Sequence, residues 1–194
     1  MTSLPAPIKG EILDLLNRLA NCDSPSQFDL YRLNHLIEQL EKVDYPASLS
    51  FRGAYYSLQG KFDKAEEYHK EAIKMQPGAN TFFNYAMTLQ IEEKYAQAVE
   101  MLLKAKELCS TDFRCMEVLL QNAAWSGQIA LVEEWLPRYS SLTGVNLTVD
   151  NYIALLGPAK TTLESDESYA ATCASGVLSD WDSPEEEEAW QHLQ

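Results

Sequence analysis

Chemistry in a chain of this size needs nucleophiles, bases or metal ligands in recognisable spacing. The sequence has three histidines, His35, His69 and His192, and four cysteines, Cys22, Cys109, Cys115 and Cys173. The cysteines are scattered, with no CxxC pair, and no histidine stands at a triad or metal-ligand spacing from a Cys or a carboxylate. There is no glycine-rich phosphate loop, no GxSxG and no HExxH. The carboxylate pairs Glu66-Glu67, Glu92-Glu93 and Glu133-Glu134 fall on helical or turn text with polar neighbours. The sequence therefore predicts no catalytic, cofactor-binding or metal residue, no cofactor, and a protein that is not an enzyme.

The elements around these residues are helical. Pro7–Ala20 carries Ile8, Ile12, Leu15, Leu16 and Leu19, and Phe28–Val43 carries Leu30, Leu33, Leu36, Ile37 and Leu40. Both stripes have the period of a helix with one buried face. Asn21–Ser26 reads as the loop between them. Downstream, Gly127–Tyr139 and Asn146–Leu156 continue the helical pattern. The whole predicts nine or ten helices.

The middle of the chain repeats. Gly60-Lys61-Phe62-Asp63-Lys64-Ala65 aligns with Glu93-Lys94-Tyr95-Ala96-Gln97-Ala98, and Ala72 aligns with Ala105. An offset of about 33 residues between paired helical segments is a solenoid signature. Small residues at fixed positions let helices approach, and larger ones fill the space between those contacts. Pro77 is expected to stop a helix and Gly78 to supply the turn.

These residues resemble the tetratricopeptide repeat family. The first unit, 46–78, has Leu49, Gly53, Tyr56, Ala65, His69, Ala72 and Pro77 at the positions of that pattern. The second, 79–111, has Phe82, Ala86, Leu89, Ala98, Leu102 and Ala105, with Ser110 in place of the closing proline. A third, 113–143, has Met116, Leu120, Ala123, Gly127, Val132, Leu136 and Tyr139, departing from the pattern at Leu120 and Val132. The resemblance covers about half of the chain. It implies an all-α, right-handed helix-turn-helix solenoid, a tetratricopeptide-like superhelix. Residues 1–45 would be a capping hairpin, 144–160 a helical extension and 161–194 an acidic tail.

The resemblance also implies a concave groove lined by the first helix of each pair. Its lining would include Phe51, Asn80, Phe83, Asn84, Met87, Gln90, Arg114 and Gln121, with Trp125 beside them. A mostly neutral lining of amides, aromatics and methionine suits an extended peptide. The cations with which chaperone-docking members hold a peptide carboxylate are absent: Ser50, Ala54, Glu117 and Gln121 stand at those positions. Arg52 is a charged residue where an apolar one is usual, and is expected to find an acid.

Charge is unevenly spread. The chain has 194 residues and a net charge of −14. Residues 161–194 contain nine acids and no Lys or Arg. Such a balance disfavours nucleic acid and anionic membranes as partners. The N-terminus has no signal-peptide pattern and no apolar run is long enough to span a bilayer, so a cytoplasmic protein with reduced thiols is expected. The expected partner is another protein or peptide, with a homodimer possible. In the tail, Trp181 and Trp190 flank Ser183-Pro184-Glu185-Glu186-Glu187-Glu188, and are the expected anchors. The tail resembles the acidic, tryptophan-bearing ends of antitoxin-type proteins, which implies an inhibitor. Small acidic three-repeat proteins of this layout also resemble chaperones of type III secretion translocators.

Overall fold

A computed structural model describes residues 6–20, 26–108 and 113–158. These residues form nine α-helices, with no strand among them: α1 Ala6–Ala20, α2 Gln27–Glu41, α3 Tyr45–Ser57, α4 Phe62–Met75, α5 Ala79–Ile91, α6 Tyr95–Leu108, α7 Phe113–Trp125, α8 Ile129–Thr143 and α9 Val149–Leu156. Each helix packs on the next. Beyond this, α1 touches α3 and α3 packs along α5.

Local chemistry sets the helix starts. Ser26 accepts a hydrogen bond from the Asp29 N–H, Asp44 from the Ala47 N–H, and Thr148 from the Asn151 N–H. These caps satisfy N–H groups that the first helical turn leaves without partners. Pro46 follows the Asp44 cap, where its fixed φ suits the opening turn.

The helices recur at a fixed step. Helices α3, α5 and α7 begin at Tyr45, Ala79 and Phe113, two steps of 34 residues (79 − 45 and 113 − 79). The turn inside each following pair is built the same way. The N–H groups of Lys61, Lys94 and Gln128 donate to the carbonyls of Tyr56, Leu89 and Ala123, at 3.0, 2.8 and 2.8 Å. The residue before each of those donors is left-handed: Gly60 (φ 67°), Glu93 (φ 61°) and Gly127 (φ 72°). Such a residue closes a helix by turning the chain out of it. Gly78, by contrast, has φ −154° and precedes α5 as extended backbone. The expected glycine turn there is absent, because Gln76–Gly78 leave α4 without a left-handed residue.

Two apolar cores result. The first joins Ile12, Leu15 and Leu19 of α1 to Leu33, Ile37 and Leu40 of α2 and Phe51 of α3. The second runs from Phe83 and Leu89 of α5 through Leu102 of α6 and Met116, Leu119 and Leu120 of α7 to Leu136 and Tyr152. Ala65, Ala72, Ala86, Ala98, Ala105 and Ala123 are all buried, so backbones come close at these points.

Where α3 and α4 meet α5 the interior is small and polar. His69 and Thr88 are buried there, and Ser48 and Ser57 of α3 are buried as well. The His69 Nε2 lies 2.8 Å from the Thr88 Oγ1, and the ring stacks on Tyr85 with centroids 5.3 Å apart. Gly53 makes room for it: a Cβ on Gly53 would sit 2.6 Å from the imidazole. Burial lowers the His69 pKa to about 3, so the ring is neutral at ordinary pH. Burial, then the nearby Glu66 carboxylate, pushes the Tyr85 hydroxyl up to about 12.

Candidate functional site

The residues expected to line a peptide surface divide into two groups. Phe51 and Phe83 are each 5 % exposed, and each belongs to a core. Phe51 packs with α1 and α2, and Ala47, Ala54 and Leu58 lie against the same cluster. The α1/α2 pair thus covers this side of α3. Ser50 and Ser57 are also buried. Neither phenylalanine ring stands open to a ligand.

The second group is partly open. Asn80, Asn84 and Met87 are half-buried on α5, at i, i+4 and i+7. That spacing places them in one stripe. Ile91 continues it and is 52 % exposed. On α7, Arg114 and Gln121 are half-buried and share a face at i, i+7.

Amides join the two helices. Gln90 on α5 donates through Nε2 to the Gln121 Oε1 at 3.3 Å. Asn122 donates through Nδ2 to the Gln90 Oε1 and to the Val118 carbonyl, both at 2.8 Å. Asn122 is fully buried, and its Oδ1 has no hydrogen-bond partner. The pattern positions did not single it out. Its signal is a polar side chain at i+3 from Leu119 and beside Ala123, on the apolar side of the helix rather than with its polar neighbour Gln121. Trp125 packs on Tyr95, with ring centroids 5.2 Å apart.

The groups with most potential for chemistry are engaged elsewhere. His69 is sealed in the seam just described, and His35 is exposed with its Nε2 2.8 Å from the Gln39 Nε2. Glu66 pairs with Lys70 at 2.5 Å, a contact that holds its carboxyl below the usual range. Glu92 pairs with Lys94. Arg52 meets the Glu41 Oε2 at 2.5 Å. No group of three or more potential metal ligands occurs among the described residues. No helix among them is long and apolar enough to cross a membrane. Cys22, Cys109, Cys173, His192, Trp181 and Trp190 lie outside the described residues.

Comparison with protein-family models, with curated proteins and with solved structures finds no match to this chain. The candidate surface therefore stands on its own geometry: a half-buried stripe of two asparagines, a methionine and an isoleucine on α5, tied by glutamine and asparagine to α7.

Proposed function

We propose that this chain is a tetratricopeptide-type α-solenoid that holds a segment of another polypeptide and makes or breaks no bond. The observation that carries the reading is the 34-residue recurrence of α3, α5 and α7, each followed by the same hydrogen-bonded turn. Helices repeated at that step cannot bury their faces singly and must pack in series. Of the first helices, α3 packs along α5, and amides near their C-terminal ends link α5 to α7, a series that offers an extended surface.

In this reading α1 and α2 cap the series, and the open surface begins at α5. Its Asn80 and Asn84 offer amides to a peptide backbone, while Met87 and Ile91 offer adaptable apolar contact. Arg114 and Gln121 extend the surface onto α7. The protein works as a scaffold or adaptor in the cytoplasm, with a polypeptide rather than a nucleic acid or a membrane as its partner.

The test is affinity capture from the native cell with three baits: the natural chain, an Asn80→Ala/Asn84→Ala/Met87→Ala variant, and Glu100→Ala on the exposed side of α6. A partner retained by the natural chain and by Glu100→Ala, but lost from the triple variant, supports the reading. Equal retention by all three contradicts it.

A further inference from the structure

We propose that residues 180–193 of this same chain dock on a basic, tyrosine-lined face of the α3/α4 pair. The proposal is independent of the α5/α7 surface. It starts from an asymmetry among the three repeated turns. The second turn carries Glu92-Glu93-Lys94 and the third Ser126-Gly127-Gln128. The first carries Gln59-Gly60-Lys61 with Lys64 one helical turn on, and so is the basic one.

The two lysines stand over an aromatic surface. Lys64 Nζ is 5.4 Å from the Tyr56 ring centroid and Lys61 Nζ is 6.0 Å from it. Tyr56 stacks on Tyr68, with centroids 5.4 Å apart and planes 11° from parallel. Arg52, already paired with Glu41, lies over the other ring, 5.9 Å from the Tyr68 centroid, and Glu71 stands near that ring, so the positive charge left without a carboxylate is that of Lys61 and Lys64. Both lysines are exposed, and neither pairs with a carboxylate among the described residues. Helix α4 also begins without a side-chain cap, which leaves the positive end of its dipole at the same place. The first turn of α4 also carries one acid, Asp63, against the two lysines.

The occupant must be acidic and aromatic. This chain carries such a segment itself: Asp180-Trp181-Asp182 and Glu185-Glu186-Glu187-Glu188-Ala189-Trp190, within 34 residues that contain no Lys or Arg. The acids complement Lys61 and Lys64, and the indoles can pack on the lysine side chains and against the edges of the Tyr56–Tyr68 stack. Length is sufficient. The 21 residues 159–179 can span up to about 70 Å when extended. Five helix spacings separate α9 from α4, at about 10 Å each. Attachment to the same chain also gives the segment a high effective concentration, so individually weak contacts suffice.

The test is zero-length carbodiimide cross-linking of the full chain at low concentration, in an equal mixture of isotope-labelled and unlabelled protein, read by mass spectrometry. The expected product joins Lys61 or Lys64 to an acid of 180–188 within one chain. Its yield should fall about ten-fold in Trp181→Ala/Trp190→Ala, the loss of two ring contacts. It should also fall in about 1 M salt, where screening is nearly complete. Four results overturn the proposal: no such product, products spread evenly over Lys42, Lys70, Lys74 and Lys104, indifference to the tryptophan changes, or products that join labelled to unlabelled chains. The last would mean a second copy as the site of docking.

Discussion

At the scale of single residues, the contact between Gly53 and His69 is the tightest constraint. A methyl group at 53 meets an imidazole that has no room to retreat, since Thr88 and Tyr85 hold its other sides. Gly53→Ala should cost about 1–3 kcal/mol of stability, the usual range for overpacking. His69→Ala in the same chain should recover part of it, as measured by urea unfolding. His69 also sets a pH dependence. Its folded pKa lies near 3 and its unfolded value near 6.5, so in that interval the unfolded chain binds a proton that the native state refuses. Stability is therefore full above about pH 6.5 and declines as the pH falls, at a limiting slope of about 1.4 kcal/mol per unit. The depressed Glu66 adds its own loss only below its ordinary value of 4.5. Between pH 6.5 and 5 the slope should flatten in His69→Gln, and an unchanged slope would contradict the buried neutral ring.

At the scale of elements, the turn between α5 and α6 carries a strain that its two counterparts avoid. Glu93 occupies the left-handed position that Gly60 and Gly127 fill elsewhere. A residue with a Cβ pays roughly 1–2 kcal/mol to sit there. Glu93→Gly should stabilise the fold by up to about 1 kcal/mol, once the greater freedom of glycine in the unfolded chain is subtracted. A thermal melt reads the change, and a lower melting temperature would refute it. The alignment of Gly60 with Glu93 was visible in the sequence, because hairpin turns leave a local signature. The ends of the elements were less so: α8 opens at Ile129 and α9 at Val149, each two or three residues after the expected start. Turn geometry, which depends on backbone hydrogen bonds, sets those starts. The surface residues were harder still. Pattern positions bring Phe51 and Phe83 beside Asn84 and Met87, but burial is decided by what packs across them. The α1/α2 pair covers Phe51, a contact between segments far apart in sequence that no local period encodes. The basic tyrosine face escaped notice for the same reason, since Tyr56 and Tyr68 meet only once α3 and α4 are folded together.

At the scale of the molecule, two apolar cores flank a seam of small and polar residues. Proteins built from successive helical pairs share stability mainly between neighbours. A cavity in one core should therefore be felt unevenly. Leu33→Ala, in the first core, should accelerate amide hydrogen exchange in α1–α3 far more than in α7 and α8. Uniform acceleration would mean that the seam transmits cooperativity fully and that the chain unfolds as one unit.

The proposed function places a partner polypeptide across α5 and α7, and a photo-activated cross-linker tests that most directly. A benzoylphenylalanine introduced at position 84, in the half-buried stripe, is compared in the native cell with one at position 100, exposed on α6. The account predicts a discrete adduct with one polypeptide at 84, mapped to a defined segment of that partner, and none at 100. Adducts absent from both positions, or formed equally at both, would contradict it.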